Sequence, residues 1–361
     1  LSLPVDIIIP HYKGNEIFHS CLESLFKTKY DNFRVIVVDN GCQDDSVEKA
    51  KALFPRMQVL KLEENRGFAG GCNAGVNLSD RQYVALLNDD TEVEPDWLEK
   101  LMEKISSAED VAVVQPKLRW IKDKSKFDYA GGMGGMMDIF GYPFCYGRVF
   151  ETIEEDKGQY DWVEDIFWAS GSASLFRRDV YVEAGGLDER FFAHQEEIDL
   201  NWRLQLMGYK IKAAPQAVVY HYGGATLPAG NFRKKYFNHR NSILMLLKNF
   251  QWKNLLWILP LRIILELAAS VLAVKQKDYR RIIAIFRGGL WNLWNIPCIF
   301  AERRWIKQHR KVSDDEILSR MYGGTVALQY YLSHKRTYFQ LYKEELSRVS
   351  SLESQVSSGT T

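Results

Sequence analysis

Short apolar runs that stop abruptly at polar residues constrain this chain more than any other feature. Tyr83-Val84-Ala85-Leu86-Leu87 is flanked by polar residues on both sides and reads as a buried strand of an α/β sheet. Val5 to Ile9 (stopped by Pro10), Arg34 to Val38, Gln58 to Leu62 and Val111 to Val114 repeat the pattern. Between them lie stretches of helical spacing. Ile17, Cys21, Leu22 and Leu25 share one face of a helix over 17–28, a second helix capped by Asp45 or Ser46 runs to Leu53, and a third covers Trp97 to Ile105. Strands alternating with helices of this length give βαβ units and a mostly parallel sheet.

In such sheets ligands collect at the carboxyl ends of the strands. The run ending at Leu87 delivers Asn88, Asp89 and Asp90 to that position. Side-chain oxygens on a loop held by a rigid strand suit a hard cation, Mg²⁺ or Mn²⁺, that also binds substrate phosphates. A solvated acidic turn is the competing reading. Asp39, at the end of the second strand, can accept hydrogen bonds from a base or a ribose, or can be a turn aspartate. Asn65 to Gly75 is a glycine-rich turn into a helix, where backbone N–H groups can approach a phosphate or ribose. It lacks the GxGxxG spacing and the P-loop lysine, so neither a Rossmann dehydrogenase nor a nucleotide triphosphatase is supported.

The chain, 361 residues long, can bury a sizeable core and is expected to form one α/β domain plus a smaller unit. Its net charge of +1 hides a split: residues 1–230 carry 25 Lys and Arg against 37 Asp and Glu, while 231–361 carry 22 against 9. An acidic catalytic body beside a basic element that meets an anionic surface fits that split. Five scattered cysteines with no CxxC pair point to a reducing compartment and away from zinc. With the first strand starting at once, no secretory leader is expected. Residues 122–161, rich in glycine and aromatics and poor in periodicity, read as long, partly mobile loops lining an acceptor cleft, or as a decorative insertion.

A second informative stretch runs from Phe167-Trp168-Ala169-Ser170-Gly171 through Gly185-Gly186-Leu187-Asp188-Glu189 to Gln195-Glu196-Glu197-Ile198-Asp199. Together with the first strand, Asp39, the glycine-rich turn and the Asn-Asp-Asp loop, it resembles family 2 glycosyltransferases of the GT-A fold, and within them the rhamnosyltransferase-like branch that builds bacterial surface polysaccharides. The resemblance covers residues 4 to about 225 in order. It implies a nucleotide-sugar site bordered by Pro10, His11, Asp39, Arg66, Gly67, Gly71, Asn73, Asn88 and Asp89. Asn88-Asp89-Asp90 stands at the family's Asp-x-Asp motif with its first Asp replaced, so a divalent metal would rest mainly on Asp90, with His221 as second ligand. Glu196-Glu197 occupies the Glu-Asp position, making Glu197 the expected general base and Glu196 the alternative. Trp168, Gly171, Asp188 and Asp199 are acceptor-side candidates, although Asp199 and Arg203 also have the spacing of a structural i,i+4 pair. One base without an enzymic nucleophile implies transfer with inversion.

From Phe232 the pattern turns helical, basic and aromatic, with no nucleic-acid-binding motif. Leu255–Val274 and Ile282–Ala301 are strongly apolar but interrupted by Pro260, Arg262, Glu266, Arg287 and Pro297, so neither reads as a spanning helix. Flanking tryptophans and Lys/Arg suit helices lying on the inner face of an anionic membrane; a buried helical hairpin is the alternative. Residues 347–361 are Ser-rich and expected to be disordered. The expected whole is a cytoplasmic transferase, peripheral to the inner face of the plasma membrane, with a catalytic domain (1–230) and a docking region (231–346). It would move a sugar, first of all L-rhamnose from dTDP-rhamnose, to a lipid-linked oligosaccharide acceptor. A UDP- or GDP-sugar donor, a nucleotidyltransferase and a non-catalytic scaffold are the rivals; no oligomeric state is implied.

Overall fold

The computed structural model describes residues 2–223 and 231–342. The expected boundary at 230 and the expected disordered tail, 347–361, therefore lie outside the described residues.

The first half builds the parallel layer: β1 (Val5–His11), α1 (Glu16–Leu25), β2 (Phe33–Asn40), α2 (Ser46–Leu53), β3 (Gln58–Leu62), α3 (Gly67–Leu78) and β4 (Tyr83–Leu87). Alternation decides the faces. Val5, Ile7, Ile9, Val35 and Val37 pack with Phe18, Cys21, Leu22 and Val47 of α1 and α2, while Ile8, Ile36 and Val38 pack with Ala69, Cys72 and Val76 of α3. The cap ahead of α2 differs from expectation. Asp45 occupies the N-cap without a side-chain bond; Asp44 instead accepts from the Ser46 backbone N–H at 3.2 Å and from Gly14 N–H at 2.9 Å.

The glycine-rich stretch is helix rather than turn. Only Gly67, at φ +71°, needs the left-handed region. The glycines further along α3 let it lie close on the sheet: a Cβ at Gly75 would stand 2.3 Å from Ile8 Cγ2, and one at Gly71 would stand 3.0 Å from Pro10 Cβ.

After the acidic loop come β5 (Thr91–Val93), α4 (Trp97–Ile105) and β6 (Val111–Trp120). Residues 122–161 then correct the expectation of mobile loops. They contain β7 (Gly135–Met137), β8 (Pro143–Cys145), β9 (Arg148–Val149) and β10 (Thr152–Ile153), an antiparallel sheet in the order β10-β9-β8-β7. Met133, Met137, Phe144, Cys145 and Val149 are fully buried beneath it. The strands are too short to show periodicity, which hid them from sequence reading. Next come β11 (Ala173–Arg177), α5 (Arg178–Glu183), α6 (Glu196–Leu206) and β12 (Lys210–His221). The main sheet has the order β3-β2-β1-β4-β11-β6-β12-β5, with β11 antiparallel to both neighbours and β5 antiparallel to β12.

The remaining helices are α7 (Phe232–Asn249), α8 (Trp252–Lys275), α9 (Tyr279–Trp294), α10 (Ile296–His309), α11 (Asp314–Ser319) and α12 (Val326–Tyr331). Pro260 lies inside α8 without ending it, and α8 is long and apolar enough to cross a membrane by length and composition. The charges that argued against such a helix face the protein. Arg262 bonds Glu266 (3.0 Å), Phe140 O (2.7 Å) and Ser242 Oγ (2.8 Å), and His239 stands 2.7 Å from Glu266. The second apolar segment is two helices, because the chain breaks at Asn295 and Pro297 sits in the first turn of α10.

Gly75→Ala is expected to destabilise the fold by about 1–3 kcal/mol, because a β-branched strand residue cannot withdraw from the new methyl. Chemical denaturation of the two proteins measures it, and equal midpoints would refute the close-packing account.

Candidate active site

Two strand ends that are far apart in sequence meet around the acidic loop. Asn88 N–H donates to Ser172 O (2.9 Å), Thr91 Oγ1 donates to Asn88 O (2.8 Å), and Tyr222 N–H donates to Asp90 O (3.0 Å). The loop after β4 is thus tied to the turn before β11 and to the end of β12. This brings Asp90 beside His221, with Oδ1 and Nε2 3.1 Å apart.

The two atoms are close but not aligned as a hydrogen bond, and Asp90 Oδ1 is a buried oxygen without a hydrogen-bond partner. Burial would raise the Asp90 carboxyl, but the His221 charge overrides it and holds the group below the usual carboxylate range. Burial would likewise lower His221, but Asp128 and Asp90 hold it well above the usual histidine range. Two ligand atoms of one Mg²⁺ or Mn²⁺ stand about 3 Å apart when each bond is ~2.1 Å. The pair fits such an ion, and one carboxylate plus one imidazole leaves the remaining positions to water and phosphate oxygens.

Asp128 escaped sequence reading. It is fully buried, its Oδ2 stands 3.1 Å from His221 Nδ1, and the same oxygen accepts from Ala130 N–H at 2.6 Å. It orients the imidazole so that Nε2 faces Asp90. Nothing in its local sequence marks it, because it comes from the region that carries no periodicity.

Asp89 turns the other way. Its Oδ2 bonds His11 Nδ1 at 2.6 Å, and His11 Nε2 bonds Ser46 Oγ at 2.8 Å, with the ring stacked on Phe18. Pro10 and His11 therefore stand at the sheet edge beside Asp39, which is registered opposite His11. Asp39 Oδ1 accepts from Cys42 N–H (2.8 Å), and its Oδ2 lies 3.8 Å from Lys61 Nζ. One carboxylate oxygen thus has the turn role. His11, Cys42 and Asp44 also offer three ligand atoms within 4.8 Å of one another. That group is a poor metal site, because both His11 nitrogens are engaged and burial, with Asp39, pushes the Cys42 thiol up to about 12.

Glu196 and Glu197 open α6, preceded by positive φ at Phe192 (63°), His194 (69°) and Gln195 (71°). Strain concentrated this way needs surrounding bonds to hold it. Asn241 Nδ2 donates to Ala193 O (3.0 Å) and His194 O (2.7 Å), and Arg240 donates to Phe191 O (2.8 Å). The two glutamates differ in environment. Glu196 is buried, and burial followed by the Glu197 charge puts its carboxyl well above the usual range. Glu197 is half-buried beside Gly171, has an unpartnered Oε2, and is raised by burial to about 7 against backbone N–H groups that lower it.

Other expected residues have structural duties. Asn73 Oδ1 accepts from Tyr181 (2.7 Å) and Leu187 N–H (3.0 Å), and its Nδ2 donates to Leu187 O (2.8 Å); its amide belongs to the fold rather than to a nucleotide. Gly71 is where α3 passes over Pro10. Arg66 forms a two-pronged pair with Glu189 at 2.8 Å, which ties the start of α3 to the loop before α6. Three of the four acceptor-side candidates have partners inside the protein. Trp168 is buried and donates to Met136 O (2.8 Å). Asp188 and Asp199 share the buried Lys248 (2.6 and 2.9 Å), with Arg190 on Asp188 and Arg203 on Asp199. Those charges are spent internally. Gly171 alone of the four lies against a candidate catalytic side chain.

Residues 6–184 match the family model described as glycosyl transferase family 2. The chain belongs, through this domain, to glycosyl transferase family 2. The mostly parallel sheet with its flanking helices is the frame of that family domain. Curated relatives include the O-antigen biosynthesis protein RfbC of Myxococcus xanthus, 26% identical over 227 residues (62% of this chain, 17% of the relative). The N-acetylglucosaminyl-diphospho-decaprenol L-rhamnosyltransferase of Mycobacterium tuberculosis is 27% identical over 205 residues (52% and 66%). The poly-β-1,6-N-acetyl-D-glucosamine synthase of Staphylococcus aureus is 25% identical over 216 residues (59% and 48%). The chain thus spans less than two thirds of the length of each of these relatives. Among solved structures, GalNAc-T7 with UDP, GalNAc and Mn²⁺ is similar at TM-score 0.49 and 15% identity, covering 67% of this chain and 51% of that one. Residues 1–349 of S. aureus TarS give 0.47 and 13%, covering 68% and 66%.

Asp128→Asn is expected to weaken Mn²⁺ binding about 10–100-fold, as loss of an orienting carboxylate does. Calorimetric titration of the ion checks this; unchanged affinity would remove Asp128 from the metal centre.

Proposed function

We propose that the protein transfers a sugar from a nucleotide donor to a hydroxyl of a lipid-linked glycan, with inversion, using Glu197 as general base. The observation that carries this reading is the pair of acids at the start of α6: burial raises the half-buried Glu197 carboxyl to about 7, and burial with the Glu197 charge also raises the buried Glu196 well above its usual range. A base near neutrality can take the acceptor proton as the hydroxyl attacks the anomeric carbon. Gly171 leaves room for the Phe68 ring beside Glu197: a Cβ there would stand 3.0 Å from Phe68 Cε1 and 3.9 Å from Glu197 Cβ. Asp90 and His221 would hold Mg²⁺ or Mn²⁺, which when bound offsets the charge growing on the departing diphosphate. Asp128 keeps His221 aimed, and Asp39 and His11 border the base and ribose end of the donor cleft.

The name of the M. tuberculosis relative favours L-rhamnose as the sugar and a polyprenyl diphosphate-linked acceptor, which keeps dTDP-rhamnose as the first donor to test, and the name of the M. xanthus relative favours a surface polysaccharide. The N-acetylglucosamine polymerase among the relatives supports a UDP-sugar as the second. We place residues 231–346 against the inner face of the plasma membrane, as a docking region beside the catalytic domain of residues 1–230. The support is an inverted helix pair. α8 and α9 turn Arg262, Glu266 and Asn292 inward and expose Leu256 (71%), Ile264 (59%), Leu290 (67%) and Trp294 (87%). Contiguous apolar surface of this kind marks a lipid or protein partner.

Glu197→Gln is expected to lower transfer by about 10²–10⁴-fold while nucleotide binding persists. Because burial raises the carboxyl, the base is protonated below its midpoint. The wild-type rate at limiting donor should therefore fall about tenfold per pH unit below about 7 and level off above it. A pH–rate profile with no such limb, or an active Gln variant, removes Glu197 from the reaction. For the donor, calorimetry with dTDP, UDP and GDP, with Mn²⁺ and with EDTA, is expected to show metal-dependent binding of one nucleotide. Binding indifferent to metal would overturn the roles of Asp90 and His221.

A further inference from the structure

Where α7 gives way to α8, a cavity of about 340 Å³ opens between that junction and the second half of α10. Its wall carries Lys248, Arg303, Arg304, Lys307 and Arg310, together with Trp252 and Phe300, and no carboxylate. Two of these cations are neutralised elsewhere: Lys248 by Asp188 and Asp199, and Arg310 by Asp314 at 2.7 Å. The other three form no ion pair among the described residues. Arg303 donates to Leu247 O and lies under Trp252, 4.2 Å from the ring centroid. Burial and the neighbouring Arg310 push its guanidinium below its ordinary value, the signature of a cation short of counter-charge. Arg304 and Lys307 are exposed.

A basic last turn complements a helix dipole, and this accounts for Lys307. It does not account for Arg303, which is half-buried under an indole, nor for a wall of one sign. The aromatic partners add the second observation. Trp252 and Phe300 pack at 5.7 Å yet remain about half exposed, and each belongs to the outward apolar face: Trp252 begins α8 ahead of Leu256, and Phe300 follows Ile296 on α10. Cations beneath amphipathic rings at the border of an apolar face reproduce the layering of a bilayer interface, with phosphate at the level of the charges and acyl chain beyond.

We propose that this cavity receives the phosphate of an anionic phospholipid while the adjoining faces of α8–α10 lie in the acyl boundary. The proposal rests on the peripheral-membrane reading above and deepens it from an apolar surface to a headgroup site. Arg303, Arg304 and Lys307 surround one phosphate, with the indole of Trp252 in the headgroup layer. A free phosphate would need the cations but not the aromatic and apolar border, so the surroundings favour the lipid. Lys248 is both a wall of this cavity and the counter-ion of Asp188 and Asp199, so lipid engagement would occur directly behind the helix that carries Glu197.

The test uses the full chain and vesicles, with no donor or acceptor present, so its outcome is independent of the transfer chemistry. Co-sedimentation compares phosphatidylcholine vesicles with vesicles that also contain phosphatidylglycerol. The wild type is expected to prefer the anionic vesicles, and Arg304→Gln with Lys307→Gln to lose roughly tenfold or more of that affinity, at about 1 kcal/mol per basic residue, without losing binding to neutral vesicles. Leu290→Ser with Leu293→Ser is expected to weaken binding to both. Both changed cations are exposed, and thermal melts confirm that the variant is folded; Arg304→Gln alone is the milder second variant. Equal binding of wild type and both cation variants to anionic vesicles overturns the proposal. So does calorimetry in which inorganic phosphate binds the wild type, and not the double variant, as tightly as the vesicles do, because the site would then be one for a free anion.

Discussion

A buried ammonium holds α6 where it is. Lys248 has no solvent contact and donates to Asp188 and Asp199, while Arg203 and Asn249 complete the Asp199 carboxylate. Asp188 and Asp199 are both kept below the usual carboxylate range by these cations, against burial that would raise them. Removing one partner of such a network leaves a buried charge uncompensated and costs about 3–5 kcal/mol. The network joins α7 to both ends of the segment that leads into α6. One residue type on α7 thus decides whether the loop before Glu197 has a defined shape.

The same helix supports the strain in that loop. Three non-glycine residues with positive φ precede α6, and Asn241 and Arg240 collect carbonyls of the same loop, those of Phe191, Ala193 and His194. The resulting turn leaves Glu196 buried and Glu197 half-buried at the start of α6, and burial raises both carboxyls above the usual range. The metal-side residues are held from the opposite direction. β12 delivers His221, the acidic loop delivers Asp90, and the region after β6 supplies Asp128. The stretch that reads as a loop insertion therefore holds both a small sheet and, ahead of it, the aspartate that braces a histidine.

The helical region reverses the usual arrangement of a soluble protein. Its ionised residues Arg262, Glu266 and Lys248 are inside and paired, while large apolar residues such as Leu256, Ile264, Leu290 and Trp294 are outside. Burying those charges is acceptable because each meets a partner with hydrogen bonds to spare. Leaving the apolar face in water is costly by the same logic, and a bilayer surface removes that cost. The uncompensated cations of α10 stand at the edge of this face, where an anionic headgroup layer would meet them.

Much of the catalytic half was legible in the chain itself. Strands 58–62 and 83–87 and the helix 97–105 coincide with β3, β4 and α4, because period-2 and period-3.6 patterns are local properties of the residues. The acidic loop, the paired glutamates and His221 could also be named in advance, since their residue types and order resemble a known family. Local pattern could not say which partner each polar group would find. Asp188 and Asp199 read as acceptor-side candidates, yet each pairs with Lys248, 60 and 49 residues away. Asn73 read as a nucleotide contact until Leu187 and Tyr181 occupied its amide. The charges in Leu255–Val274 read as interruptions of an apolar helix until α7 and Phe140 received them. Periodicity determined which elements form; long-range pairing of buried polar groups, which no local window contains, decided what those residues do.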